Sequence, residues 1–191
     1  MPATAALSNE NVLLARAIDE PAAFGAIYDH YFKGVYNYVR YRVDSDATAD
    51  DLTALVFVKA LSKLRSFRPQ RAPFGVWLYT IARNTITDHL RASSRRQTVS
   101  LDALSTQSSD DPQPEQVAMR SADHDALLAA MSQLKRRDRD LLALKFGAGL
   151  TNRRIAELTG LSESNVGVIL FRAIRRLREQ MRPAIRPGDS T

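Results

Sequence analysis

The chain has 191 residues, 45% of them hydrophobic, no cysteine and a formal net charge of +6. That length and hydrophobic share suffice for one or two globular cores and argue against a disordered chain. The lack of cysteine excludes a disulfide framework, a thiolate nucleophile and a Cys-based zinc site, and fits a reducing cytoplasm.

Charge and aromatics are unevenly placed. Residues 1–92 hold 11 Lys/Arg against 9 Asp/Glu, residues 93–124 hold 3 against 5, and residues 125–191 hold 13 against 7. The C-terminal third therefore carries most of the positive surplus, which favours an anionic partner there. By contrast, 12 of the 14 Phe, Tyr and Trp residues precede residue 92. Two modules with different physics are expected. The opening Met1-Pro2-Ala3-Thr4-Ala5-Ala6 lacks a basic region followed by an apolar core, and no apolar run reaches membrane-span length. A soluble, cytoplasmic protein without membrane insertion is expected.

The N-terminal module, residues 1–92, reads as four helices. The first covers about Asn9 to Ile18, and Pro21 then suits the opening turn of a second that runs to about Arg42. Its apolar face holds Phe24, Ile27, Tyr28, Tyr31, Phe32, Val35, Tyr36 and Val39. A third helix is expected from Thr48, which has capping-box spacing to Asp51, with Leu52, Leu55, Val56, Val58, Leu61 and Leu64 on its buried side. Asp50-Asp51 lacks the further carboxylate that a metal pair requires. Two prolines, Pro69 and Pro73, interrupt the chain after Leu64 and leave a basic loop bracketed by Phe67 and Phe74.

The fourth helix, about Phe74 to Arg91, turns Phe74, Trp77, Leu78 and Ile81 inward and leaves Thr80, Arg83, Asn84, Thr87 and Arg91 outside. The loop and this helix combine cations with rings, the pairing that single-stranded nucleic acid needs. Bases stack on rings while Arg68 and Arg71 neutralise backbone charge. Phe67, Phe74, Trp77 and Tyr79 are the candidate rings, although Phe74 and Trp77 also fit a core stripe. Asn84 can donate to and accept from a base edge.

Residues 93–120 are rich in Ser, Thr, Gln, Asp and Pro and read as a flexible linker. The C-terminal module, residues 121–191, begins with a helix through Leu127, Leu128 and Met131, then one from about Arg137 to Phe146. Thr151 is a natural N-cap, Gly160 suits a left-handed helix stop, and Ser162 begins the same capping grammar again. This spacing reads as a helix-turn-helix. In its second helix, Val166, Ile169, Leu170, Ala173, Ile174 and Leu177 form one apolar stripe. The opposite face offers Ser164, Asn165, Val168 and Phe171 near the start, then Arg172, Arg175, Arg176 and Arg178. A recognition helix contacts base edges with its first turns and phosphates further along.

Enzymatic readings find no support: His30, His89 and His124 are scattered and no glycine-rich phosphate loop occurs. No strand pattern occurs either. The fold expected is all-α, two helical domains joined by a flexible linker.

Taken in chain order, these segments resemble an extracytoplasmic-function (ECF) sigma factor of bacterial RNA polymerase, over about Phe24 to Met181. Ala49-Asp50-Asp51-Leu52-Thr53 with Phe57-Val58-Lys59-Ala60-Leu61 resembles the sigma region 2 segment that docks on the polymerase clamp. The resemblance implies docking through Asp50, Asp51, Thr53, Phe57 and Lys59. Trp77 to Asn84, with Asp88-His89-Leu90-Arg91, resembles the helix that melts and reads the minus-ten element. It implies single-strand contacts from Phe67, Arg68, Arg71, Phe74, Trp77, Thr80, Arg83, Asn84, Thr87 and Arg91. Ile155-Ala156-Glu157-Leu158 through Arg178 resembles region 4, which reads the minus-thirty-five element. It implies duplex contacts from Arg153, Ser162, Ser164, Asn165, Val168, Phe171, Arg172, Arg175 and Arg176.

The resemblance further implies a polymerase core and promoter DNA as partners, an anti-sigma factor as regulator, no cofactor, and a linker that threads toward the polymerase active-centre channel. Two positions depart from the family pattern. Ala54-Leu55 stands where Gln-Glu is common, which moves docking onto Asp51, Phe57 and Lys59, and Gly167-Val168 with Leu170-Phe171 makes base readout more apolar. Two other readings compete: a stand-alone helix-turn-helix regulator that never binds polymerase, and a helical adaptor whose basic face meets an acidic protein.

Overall fold

A computed structural model describes residues 9–99 and 115–181. The described residues form helices and no strand: α1 Glu10–Ala17, α2 Gly25–Arg40, α3 Asp46–Ser62, α4 Phe74–Val99, α5 Glu115–Ser132, α6 Arg136–Leu142, α7 Asn152–Thr159 and α8 Glu163–Gln180. Pro21 opens a 3-10 turn to Phe24 that feeds directly into α2, as its fixed φ favours.

The start of α3 lies further upstream than capping-box spacing suggested. Ser45, in extended backbone, is the N-cap and accepts from the Thr48 backbone N–H at 3.2 Å. Thr48 is already inside the helix. The cap falls on Ser45 because its side chain reaches the third residue on, the distance an N-cap oxygen must span.

The expected linker is helical at both ends, since α4 runs on to Val99 and α5 begins at Glu115. Polar composition misled here: Ala92-Ser93-Ser94-Arg95-Arg96-Gln97 contains no Gly or Pro to stop a helix, and Glu115 follows the last proline of the segment. The Ser108-to-Pro114 centre of the expected linker lies outside the described residues. The helix expected to reach Phe146 instead ends at Leu142 and widens into a π-turn over Ala143–Gly147.

In the N-terminal module, α2, α3 and α4 pack around Ile27, Val35, Tyr38, Val56, Leu78, Tyr79 and Ile86, all essentially buried. In the C-terminal module, Leu141, Leu142, Leu144, Ile155, Val166 and Ala173 do the same for α6 to α8. These two cores join into one apolar cluster. α2 lies against the π-turn and α4 against α7.

One glycine permits that approach: a Cβ at Gly147 would sit 3.0 Å from the Asn37 backbone carbonyl and 2.9 Å from the Tyr41 ring. Within the N-terminal module, a Cβ at Gly34 would sit 2.6 Å from the Tyr79 hydroxyl. Backbone cannot yield as a flexible side chain can, so Gly147 sets the closeness of the two modules.

Candidate nucleic-acid interface

The helix-turn-helix is built by its caps. The Thr151 side chain accepts from the Arg154 N–H at 3.3 Å, Gly160 closes α7 with φ +72, and the Ser162 side chain accepts from the Asn165 N–H at 3.2 Å. Each cap satisfies backbone groups that the short α7 and the start of α8 would otherwise leave unpaired. Val166, Leu170 and Ala173 are buried, so the stripe read from the sequence fixes which side of α8 faces out.

That outer side presents Ser164, Asn165, Val168, Phe171, Arg172 and Arg175, all exposed. Phe171 is 69% exposed and Val168 44%, so the apolar part of this face has no intramolecular cover. Arg175 pairs with Glu179 at 3.4 Å and Arg153 with Glu157 at 3.5 Å, both loose surface pairs that a phosphate can replace. Arg176 differs. It donates to Asp138 of α6 at 2.8 Å, against a carboxylate side chain only 13% exposed, and so braces α8 on its own module.

On the N-terminal module, Lys59, Lys63, Arg83, Asn84, Thr87 and Arg91 line a groove of about 590 Å³ between α3 and α4. Asn84 and Arg91 are exposed, as their helical phase required. Thr80 is exposed too, but its hydroxyl donates to the Val76 carbonyl at 2.8 Å, and that of Thr87 donates to the Arg83 carbonyl at 2.7 Å.

The ring set is partly core. Phe74 is 1% exposed, Tyr79 is fully buried, and Phe67 and Trp77 are half-buried. Phe67, Phe74 and Trp77 form a triangle with centroids 5.3 to 5.5 Å apart. Phe74 is therefore corrected from a base-stacking ring to the inner member that holds the other two at the surface. Arg68 and Arg71 stay exposed, with the Arg68 guanidinium folded onto the Arg65 and Phe67 carbonyls.

The docking residues divide in the same way. Asp50 and Asp51 are exposed on α3, but Thr53 is 1% exposed with an unpartnered hydroxyl oxygen, and Phe57 is 5% exposed against Phe24 and Tyr28. Lys59 donates to the Thr85 hydroxyl at 3.2 Å and ties α3 to α4. Thr53 and Phe57 are thus corrected to core positions. Conversely Leu55 and Val58, expected on the buried side, are 41% and 64% exposed. The signal was present, because α3 has more apolar positions than one stripe can hold, and such a helix has a second contact surface.

One charged group escaped sequence reading altogether. Asp140 of α6 is 6% exposed and receives Tyr38 Oη at 2.8 Å, Arg83 Nε at 3.0 Å and the Arg42 guanidinium. All three donors belong to the N-terminal module. Burial holds the Arg42 pKa below its ordinary value and pushes that of Tyr38 up to about 12, so Tyr38 keeps its proton and donates a hydrogen bond throughout the physiological range. Arg139 adds a donation to the Tyr41 carbonyl at 2.6 Å. Among the described residues no His/Cys/Asp/Glu group could hold a metal ion, and no helix is long and apolar enough to cross a membrane.

A capped helix-turn-helix with a basic outer face, on the same chain as a basic groove beside surface aromatics, defines a two-module helical protein of the DNA-binding class. The Sigma-70 region 2 family model matches residues 27–96, and that of Sigma-70, region 4 matches residues 124–177. The chain is 34% identical over 157 residues to the RNA polymerase sigma factor YlaC of Bacillus subtilis, across 81% of this chain and 90% of that protein. It is 36% identical over 158 residues to the ECF RNA polymerase sigma factor BldN of Streptomyces coelicolor, across 83% of this chain but only 60% of that relative's length.

Two solved structures share the fold at 21% identity. CnrH, in complex with the cytosolic domain of CnrY, has a TM-score of 0.65 over 88% of this chain and 94% of its own. The sigma factor RpoE, in complex with the anti-sigma factor NepR from Bartonella quintana, has 0.68 over 82% and 95%. The chain belongs to the ECF RNA polymerase sigma factors.

Proposed function

We propose that this protein gives bacterial RNA polymerase core its promoter specificity and promotes strand opening, as a subunit and not as an enzyme. The observation that carries this reading is the order of surfaces along one chain: a docking helix, a basic groove with adjacent rings, then a capped recognition helix. Residues 1–92 form the docking and minus-ten module, residues 93–120 the connection, and residues 121–191 the minus-thirty-five module.

In the minus-ten module, the half-buried Phe67 and Trp77 receive unstacked bases while Asn84 reads an edge and Arg68, Arg71, Arg83 and Arg91 neutralise phosphates. Duplex contacts come from Ser164, Asn165, Val168, Phe171, Arg172 and Arg175, with Val168 and Phe171 suited to thymine methyls. Docking uses Asp50 and Asp51 beside the exposed Leu55 and Val58, of which Leu55, with Ala54, stands where a polar pair is common in the family. An anti-sigma factor is the expected regulator, by analogy with the RpoE–NepR complex. The protein acts in the cytoplasm, where the polymerase is.

The test is multi-round transcription by purified bacterial core polymerase on promoter fragments from the source genome, with and without this protein. Initiation at specific sites is the expected result. Duplex binding without core binding or initiation supports the stand-alone regulator instead.

A further inference from the structure

We propose that the cleft at the junction of the two modules is a binding site for a small molecule with two adjacent phosphoryl groups, a nucleoside diphosphate or pyrophosphate, held by arginines of both modules. Promoter binding calls on Arg83 and Arg91 but leaves the other arginines of this cleft without a role.

The cleft has a volume of about 260 Å³. Arg42, Arg83 and Arg91 line it from the N-terminal module, and Arg136 and Arg137 from the start of α6. Asp140 is the one carboxylate among its lining residues. Five guanidiniums against one carboxylate leave a surplus of four positive charges. Neighbouring acids do not reduce it: Asp138 is taken by Arg176 at 2.8 Å, and Asp88 lines the α3/α4 groove, not the cleft.

These cations have donors to spare. Arg83 engages Asp140 through Nε at 3.0 Å and its side chain is 40% exposed, so its two terminal nitrogens stay open to a ligand. Arg91, Arg136 and Arg137 are exposed and form no hydrogen bond or ion pair among the described residues. Arg42 is buried and makes the floor with Asp140. Burial first, and then the like charges of Arg139, Arg83 and Arg136, hold its pKa below the ordinary value against the opposite pull of Tyr38. Like charges gathered this closely are stabilised by an anion placed among them. Arg136 and Arg137 also occupy the first turn of α6, where backbone dipoles favour acidic side chains, so helix formation does not account for them.

The surplus selects the ligand. A phosphoryl group carries about −1.5 to −2 at pH 7, so two adjacent groups are needed to approach four charges. Planar guanidinium forks match phosphate oxygens two at a time. Pockets that enclose a whole drug-sized ligand run from about 300 to 1,000 Å³, so this cleft holds the diphosphate and leaves the remainder of the molecule outside. A DNA backbone phosphate is a diester with a single charge, so a strand brings less charge to the same space.

The test is isothermal titration calorimetry of the full chain with inorganic pyrophosphate, in magnesium-free buffer at fixed ionic strength. Saturable one-to-one binding is expected. Guanosine diphosphate should bind as well, and guanosine monophosphate about tenfold more weakly or worse, the value of one lost charge-assisted hydrogen bond. Arg136→Ala and Arg137→Ala in one chain should weaken pyrophosphate binding by about tenfold or more; both side chains are exposed and unpaired, so the fold is kept. Arg16→Ala and Lys33→Ala in one chain remove the same charge from exposed positions that do not line the cleft, and should leave the affinity unchanged.

Tighter binding of guanosine diphosphate than of pyrophosphate identifies a nucleotide as the occupant, and the reverse order an inorganic one; either supports the site. Absence of saturable binding overturns it, as do equal losses in the two double variants, which report general charge attraction. Weaker single-stranded DNA binding in the chain lacking Arg136 and Arg137, with no pyrophosphate bound by the wild type, overturns it too and assigns these arginines to the nucleic-acid backbone. The titration needs neither promoter nor polymerase, so its outcome is independent of the transcription result.

Discussion

Arg172 and Asn84 test the division of labour at the scale of single side chains. Arg172→Ala removes an exposed cation from α8, and the salt dependence of duplex binding, plotted as log affinity against log salt, should lose about one from its slope. Asn84→Ala leaves duplex affinity unchanged and lowers open-complex formation by about 2- to 10-fold, the value of one hydrogen bond, as read by permanganate footprinting. Equal losses in both assays for both variants contradict the assignment. Thr53 tests core against contact. Its hydroxyl is buried without a partner, so Thr53→Val should raise stability by about 1 kcal/mol in denaturant titration with polymerase binding unaffected. Val58→Asp behaves oppositely: melting is nearly unchanged at a 64%-exposed site, and affinity for core polymerase falls about tenfold or more. Residue type made Asn84 and Arg172 legible in the sequence. It misplaced Thr53, Phe57, Leu55 and Val58, because whether a side of α3 is covered depends on α2 and α4, not on α3.

At the scale of elements, the helix-turn-helix was legible almost to the residue. Caps are local chemistry: a hydroxyl three residues before an N–H, and a glycine where φ turns positive, act whatever the rest of the fold does. Ser162→Ala should cost about 1 kcal/mol by loss of the α8 cap. Gly160→Ala should cost about 1–2 kcal/mol because φ is +72 there. Gly167 is the contrasting glycine. A Cβ on it meets only the Asn152 side-chain amide at an ordinary 3.7 Å, so Gly167→Ala should stabilise by about 0.5–1 kcal/mol in thermal melting through helix propensity. The ends of α4 and α5 were misread as linker because polarity was taken for irregularity, although serine, arginine and glutamine continue a helix where neither Gly nor Pro intervenes.

For the whole molecule, the junction between the two modules rests on Asp140 and Gly147, single residues with no periodicity or motif around them, each of which meets atoms of the other module. The sequence by itself determined the all-helical class, the order of the modules, the capped recognition helix and the basic, ring-bearing surface. Each of these is encoded by neighbours within a few positions, where hydrogen-bond reach and helical period leave few options. Only the tertiary structure decided that Phe74 is inside while Leu55 is outside, that Arg176 braces its own helix, and that an aspartate in α6 meets Tyr38, Arg42 and Arg83. Those partners are 98, 102 and 57 positions away along the chain for Arg42, Tyr38 and Arg83, a separation at which pairing is set by how two packed surfaces meet and by the cost of leaving a buried charge alone.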